Sequence, residues 1–204
     1  MKNITIRKAE LGDKKDFAEL VLISAPYFLE LFGDKVKTTL QELFQYQSNL
    51  FSFEHVYFAE VEGKRAGMIL GYDWLVRKRE SLRTGFLLFK EMGLRTICKF
   101  LTLMRFNATI GKVYDGEYYI SNIAIYPQYR GQGVGKELIL KVEIKAKMFG
   151  LEKIVLDVEK ENASAINFYR KLGYKAIKEF SLPLQRNKIL SFYRMTKQIT
   201  PSPF

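Results

Sequence analysis

The apolar positions along the chain change period several times, and each change marks an element. Ile4, Ile6 and Lys8 open a short alternating stretch that predicts a strand. Asp13 has the side chain of a helix N-cap, and Phe17, Leu20, Val21 and Ser24 follow at helical spacing. Pro26 interrupts, and residues 27–50 carry a second helical pattern that breaks near Gly33. Residues 55–61 alternate and are rich in aromatics. Glu62-Gly63-Lys64-Arg65 reads as a turn and residues 66–74 as the returning strand, together a hairpin. Residues 118–125 are strongly β-prone and end before Pro127. A glycine-rich loop then leads into a helix from about Gly133 to Phe149, stopped by Gly150. A short buried strand at 154–158 and a helix at 162–172, stopped by Gly173, come next. Two strands, 175–180 and 189–195, are separated by Pro183 and a polar turn. This order predicts an α/β or mixed α+β domain around one central mixed sheet. The tail from Thr200 to Phe204, with two prolines, reads as a frayed end.

One segment fits neither period cleanly. Between the third and fourth predicted strands, residues 77–112 place Leu82, Phe86, Phe89, Ile97, Phe100 and Met104 at roughly helical spacing. Arg77, Lys78, Arg79, Arg83, Lys90, Arg95, Lys99, Arg105 and Lys112 surround them, against Glu80 and Glu91. One or two amphipathic helices are predicted, with Gly85 and Gly93 as weak points. The 204-residue length fits a single domain, 1–204, carrying this helical insertion at 77–112.

Composition narrows the chemistry. Hydrophobic residues form 48% of the chain, which provides a full core and argues against disorder. One Cys (Cys98) and one His (His55) exclude an intrachain disulfide and a four-ligand Cys/His zinc site, so no metal site is expected. Nucleophilic catalysis of the Ser-His-Asp or Cys-His kind would have to use His55, whose neighbours read as the start of a strand; a structural role is expected. The net charge of +11 favours polyanions: nucleic acid, an acidic membrane surface or a phosphorylated cofactor. A nucleic-acid module would need exposed stacking aromatics on a basic face, whereas the aromatics here sit in apolar patterns. The N-terminus lacks the apolar run of a signal peptide and no stretch of ~18 uncharged apolar residues occurs. A cytoplasmic protein without a transmembrane segment is the expectation.

The chemistry concentrates in Ile123-Ala124-Ile125-Tyr126-Pro127-Gln128-Tyr129-Arg130-Gly131-Gln132-Gly133-Val134-Gly135-Lys136. A buried strand runs into a loop with three glycines and directly into a helix. Glycines allow a tight turn and close approach of N–H groups, and the helix N-terminus adds free donors and partial positive charge. Together they make an anion cradle suited to phosphate or pyrophosphate. The Rossmann spacing G-x-G-x-x-G is absent, because these glycines read G-x-G-x-G. Walker A is absent too, because Gly135-Lys136 is followed by Glu137 and position 130 is Arg.

A second motif follows the next strand: Asn162-Ala163-Ser164-Ala165-Ile166-Asn167-Phe168-Tyr169-Arg170-Lys171-Leu172-Gly173-Tyr174. With both motifs in order, the chain resembles the GCN5-related N-acetyltransferase (GNAT) superfamily. Arg130-x-x-Gly133-x-Gly135 resembles its acyl-CoA pyrophosphate loop, and Asn162-x-x-Ala165-x-x-Phe168-Tyr169-x-x-x-Gly173-Tyr174 its C-terminal motif. The strong likeness covers about residues 118–174; Arg7-Lys8-Ala9 with Asp13 weakly matches the family's opening elements.

The resemblance implies a bent central sheet with helices on both faces, opened like a V between the fourth and fifth strands. It implies acetyl-CoA as cofactor. The backbone of Ile123, Ala124 and Ile125 would pair with the pantetheine arm like an added strand, one N–H polarising the thioester carbonyl. The N–H groups of Arg130, Gly131, Gln132, Gly133, Val134, Gly135 and Lys136 would hold the pyrophosphate. Asn162, Asn167, Phe168 and Tyr169 would complete the cofactor site, with Asn162 bonding the pantetheine arm. Tyr169 would protonate the departing thiolate: a Tyr with pKa ~10 stays protonated at neutral pH and matches a thiol of ~8.5. Its structural alternative is a core aromatic sharing a helix face with Ala165 and Leu172.

The general base is open. Where many family members carry Glu in the fourth strand, this chain has Ser121 and Asn122. Ribosomal-protein N-terminal acetyltransferases place an acid in the fifth strand within Leu-Glu-Val; Leu156-Asp157-Val158 resembles that pattern and implies Asp157, with a shorter side chain. Glu117 and Glu159 are further candidates, and a water chain through Ser121 and Tyr119 is another route. All three acids also read as solvated strand-end charges.

The implied function is N-acetyl transfer from acetyl-CoA to a primary amine, on a small molecule or a peptide N-terminus. The alternatives are transfer of another acyl group, acylation of an alcohol, or a silent acyl-CoA-binding sensor. The insertion reads as a lid over the acceptor site, a homodimer interface, or a seat on an anionic surface. Phe28, Phe32, Tyr72, Trp74 and Phe86 point to an apolar-walled acceptor pocket, and nothing sharper.

Overall fold

The computed structural model describes residues 3–93, 110–185 and 188–199. They form seven strands: β1 (Ile4–Lys8), β2 (Val56–Val61), β3 (Lys64–Asp73), β4 (Glu117–Ile125), β5 (Lys153–Glu159), β6 (Lys175–Gln185) and β7 (Lys188–Gln198). Six α-helices accompany them: α1 (Lys14–Ser24), α2 (Tyr27–Phe32), α3 (Val36–Gln45), α4 (Trp74–Met92), α5 (Val134–Met148) and α6 (Ala163–Lys171). Ile97, Cys98, Phe100, Met104 and their basic neighbours Arg95, Lys99 and Arg105 lie outside the described residues, as does the tail from Thr200.

The strands make one sheet in the order β1-β2-β3-β4-β5-β7-β6. Only β4 and β5 run parallel, joined by α5, so the sheet is mixed. Helices cover both faces, as expected. On one face α5 and α6 bury Leu138, Ile139, Val142, Ile166 and Tyr169 against Ile69, Tyr118, Ile120, Ile154 and Leu156. On the other, α1 and α3 bury Phe17, Leu20, Val21, Leu40 and Phe44 against Phe58, Met68, Leu70 and Ala124. Fully burying one such side chain contributes about 1.5–3 kcal/mol, so both faces contribute heavily to folding.

Asp13 ties the opening elements together. It is fully buried and accepts from Arg7 at 2.7 and 2.9 Å and from Arg65 at 2.6 Å. It sits at the N-cap of α1 but makes no capping bond there; its carboxylate accepts the Glu10 N–H instead.

The structure corrects three boundaries. The insertion's helix starts at Trp74, not Arg77, because the Asp73 carboxylate caps it by accepting the Val76 N–H at 2.9 Å. It runs unbroken through Gly85 and stops at Gly93, whose φ of 71° suits a glycine. Pro183 does not end its strand: β6 continues to Gln185, with an irregularity in pairing after Pro183 absorbing the missing donor. The lone histidine is structural. His55 Nε2 lies 2.7 Å from the buried Glu80 Oε2 and pins α4 to the start of β2.

Candidate active site

The site is built on two irregularities of β4. The first is a bulge. Against β3, Leu70 pairs with Asn122 and Gly71 with Ile120, so Ser121 is an extra residue. The bulge reverses the alternation. Before it Tyr118 and Ile120 face α5; after it Ile123 and Ile125 do, while Asn122 and Ala124 turn to the α1 side. The Ser121 hydroxyl donates to Asn122 Oδ1 at 2.9 Å, and Asn122 Nδ2 donates to Ser24 Oγ at 2.8 Å, fixing the bulge to the end of α1.

The second irregularity is a split. β4 pairs with β5 only from Glu117–Lys153 to Ile120–Leu156. Beyond that point β5 turns its pairing to β7 alone, and the β5-facing edge of residues 121–125 has no strand beside it. The opening is a cavity of about 630 Å³, lined by residues of β4, β5, the loop after β4, α6 and the α1–α2 junction.

One end of that cavity is the glycine loop. Gly133 has φ 89° and ψ −9°, a left-handed conformation that a side chain would strain by about 1–2 kcal/mol. It aims the first turn of α5 into the opening, and the N–H groups of that turn have no acceptor within the helix. Gly135 packs on α6: a Cβ there would meet Phe168 Cζ at 3.2 Å and Ile125 Cδ1 at 3.3 Å. Arg130 Nε donates to Ile125 O at 3.2 Å and holds the loop back on the strand. The donor-rich cradle and the open strand edge fit a pyrophosphate carrying an extended amide arm.

The sequence-derived candidates separate here. Ile123, Ala124, Ile125, Arg130, Gly131, Gly133, Val134, Gly135, Lys136, Asn162, Phe168, Tyr169 and Asp157 converge on the cavity. The Gln132 side chain folds away, its Nε2 donating to Gln128 O at 2.8 Å, so that only its backbone N–H could serve the cradle. Asn167 is exposed on α6 outside the cavity lining, because it lies one position before Phe168 and so points off the buried face. Asn162 caps α6, its Oδ1 accepting from Ala165 N at 3.0 Å, which leaves its amide N–H₂ for a ligand.

Tyr169 is 6% exposed, packed between Phe168 and Tyr174, and it lines the cavity. Burial pushes its hydroxyl well above the ordinary tyrosine value. It therefore holds its proton at neutral pH.

Asp157 is not a solvated strand-end charge: its side chain is 1% exposed. Arg194 donates to both oxygens, at 2.9 and 3.1 Å. Gly111 N donates at 2.9 Å and the Tyr119 hydroxyl at 3.2 Å. Four hydrogen bonds leave little lone-pair capacity for a further proton donor. Glu159, two residues on and so on the same face of β5, also lines the cavity. Burial pushes its carboxyl above the usual glutamate range, Glu161 and Glu30 add to this, and Lys188 opposes it. Two acids on one strand thus differ in kind, one saturated with donors, the other half-buried beside the opening.

A split mixed sheet, a donor-rich cradle on the helix between its parallel strands and a buried tyrosine on the following helix match the fold that the GNAT resemblance implies. Comparison with known proteins agrees. The profile of the Acetyltransferase (GNAT) family matches residues 17–174, and the chain belongs to that family. The uncharacterized N-acetyltransferase YobR of Bacillus subtilis is 28% identical over 129 residues, 63% of this chain and 48% of that protein. The N-alpha-acetyltransferase of Sulfurisphaera tokodaii is 39% identical over 62 residues, 29% of this chain and 36% of its own. The chain thus spans half or less of these relatives' lengths. An N-acetyltransferase structure from Staphylococcus aureus Mu50 superimposes with a TM-score of 0.70 at 22% identity, over 95% of this chain and 100% of that one. The ribosomal-protein-S18-alanine N-acetyltransferase of Escherichia coli superimposes at 0.59 and 18% identity, over 98% and 97%. Among the described residues no helix is long and apolar enough to cross a membrane.

Proposed function

We propose that this chain moves the acetyl group of acetyl-CoA directly to a primary amine. The supporting observation is the meeting, in one cavity, of an unpaired β4 edge, the first turn of α5 and the buried hydroxyl of Tyr169. The backbone of Ile123, Ala124 and Ile125 would bind the pantetheine arm as an added strand. The N–H groups from Arg130 to Lys136 would hold the pyrophosphate at the positive end of α5. Acetyl-CoA supplies the activated acyl carbon.

Glu159 would take the proton that the amine releases on attack, because it lines the cavity and its affinity for protons is raised. Asp157 would act through Tyr119 and Arg194, holding the floor of the split rather than accepting that proton. As the carbon–sulfur bond breaks, Tyr169 would give its proton to the sulfur. The proton gained by Glu159 leaves to solvent and Tyr169 is reprotonated, so the cycle balances.

Calorimetric titration with acetyl-CoA, comparing the wild type with Gly133→Glu, tests the reading. Micromolar binding that the carboxylate abolishes in a folded protein supports it. No binding by the wild type overturns it. Binding with no turnover on any amine favours a silent acyl-CoA sensor instead.

A further inference from the structure

A second cavity, of about 770 Å³, lies on the α1–α4 side of the sheet. Among the described residues its walls come from α2, α3 and α4 and are strongly apolar: Phe28, Leu31, Phe32, Leu40, Phe86 and Phe89 are typical. It shares Tyr27, Ser121 and Asn122 with the cofactor cavity, so the two adjoin at the β4 bulge and the start of α2. We infer that this cavity holds the apolar body of the acceptor, and that the acceptor is a small monoamine carrying an aromatic or branched aliphatic group. This rests on the acetyltransferase reading and names the substrate class for it.

Two features select that class. First, among the described residues the apolar cavity meets the cofactor cavity at the β4 bulge, Ser121 and Asn122, and at Tyr27 at the start of α2. A molecule seated among the phenylalanines would therefore present one end there, toward the cofactor cavity whose lining includes Glu159. Second, the described lining contains Arg77 and no Asp or Glu. A polyamine would bring a second ammonium into a wall that offers it no carboxylate, an uncompensated cost. A single amine delivered as the leading end meets no such penalty. Leu82, Phe86 and Phe89, spaced along one side of α4 and 87%, 65% and 44% exposed, form the outer lip through which it would enter. Of the five aromatics that the sequence offers for an apolar-walled pocket, Phe28, Phe32 and Phe86 sit in these helical walls and Tyr72 lies on β3. Trp74 is not part of the lining.

Gly85 provides the test. It lies within α4, lines the cavity, and a Cβ built there meets nothing within 4 Å. Gly85→Phe therefore adds a side chain at the cavity wall without a clash at Cβ while removing a poor helix former, and the fold is expected to tolerate it. Steady-state acetylation would be measured with ethylamine, butylamine, 4-phenylbutylamine and spermidine, using acetyl-CoA and hexanoyl-CoA as donors. For the wild type kcat/KM is expected to rise about threefold to fourfold per added methylene until the cavity fills, with spermidine the poorest. In Gly85→Phe the 4-phenylbutylamine value is expected to fall at least about tenfold more than the ethylamine value. Equal values across the monoamines, a preference for spermidine, or an equal loss for every amine in Gly85→Phe overturns the assignment. A gain with hexanoyl-CoA that Gly85→Phe removes, without an effect of amine size, also overturns it and gives the cavity to the acyl chain. Calorimetric acetyl-CoA binding by the same preparations separates the two readings: retained binding without amine selectivity sinks this inference alone, and absent binding sinks the acetyltransferase reading with it.

Discussion

Arg194 Nε lies 2.9 Å from Asp157 Oδ1 and its Nη2 lies 3.1 Å from Oδ2, a two-point pair between side chains 10% and 1% exposed. The pair is set by strand register, since Asp157 on β5 stands directly opposite Arg194 on β7. Arg194 Nη2 also donates to Lys112 O at 2.7 Å, so the pair fastens the chain leading into β4. Removing one member of a buried pair costs about 3–5 kcal/mol, because the other charge stays buried. Asp157→Asn is therefore expected to lower the thermal midpoint by several degrees while kcat, corrected for folded protein, stays within about tenfold of wild type. A loss of a thousandfold in kcat with an unchanged midpoint would make Asp157 the base after all.

Glu159→Gln is expected to show the opposite pattern. Folding should be kept and kcat reduced by about 10²–10⁴-fold, the usual range for a positioned base. The pH profile carries the sign. Burial raises the carboxyl's proton affinity, so the base is lost on acidification at a pH above the ordinary glutamate range. The acidic limb of kcat/KM for wild type should fall there, and Glu159→Gln should flatten it. A limb that stays in place in the variant belongs to another group.

Tyr169→Phe keeps the ring that packs between Phe168 and Tyr174 and removes only the hydroxyl. Acetyl-CoA affinity by calorimetry should change little, and kcat should drop about a hundredfold or more. Because burial raises this hydroxyl's pKa, the acid form persists across the neutral range. No alkaline fall traceable to Tyr169 is expected below about pH 10, where an ordinary tyrosine would ionise. A kcat unchanged in the phenylalanine variant leaves this ring a purely structural part.

Asp13 makes the fold sensitive to acid. Burial alone would raise its pKa, but Arg7, the Glu10 N–H and Arg65 outweigh it and hold the carboxyl below its ordinary value of 3.8. The folded state thus binds this proton less tightly than the unfolded state. The stability it contributes is fully present above about pH 4 and is lost as pH falls through the folded value. In urea titrations from pH 6 to pH 3, Asp13→Asn should be the less stable protein at pH 6 and show a shallower decline below pH 4. Parallel curves would remove Asp13 from the acid response.

Much of this protein was legible in the chain itself. The period-two stretches at β1 and the β2–β3 hairpin, the helical spacing from Phe17 to Ser24, and the two glycine-punctuated motifs at 130–136 and 162–174 are local signals. They act through backbone geometry within a few residues, and elements such as α5 and α6 lie within one or two residues of where those signals place them. The cradle at Gly133 is legible for the same reason: a strand, a left-handed glycine and a helix start are consecutive.

What pairing decides was not legible. The bulge at Ser121 exists only relative to β3, and it turns Asn122 rather than Ile123 toward α1. Asp157 reads as an exposed acid until β7 brings Arg194 opposite it, 37 residues later. A structural role for His55 is legible, but not its partner: Glu80, 25 residues on, meets it only when α4 folds across the start of β2. The apolar cavity is assembled from α2, α3, α4 and the sheet, none of which encloses it alone. Periodicity reports which face of an element is apolar. Only the register of the strands and the docking of the helices decides which polar groups meet on that face, because a buried charge or an open cavity is a property of neighbours distant in sequence.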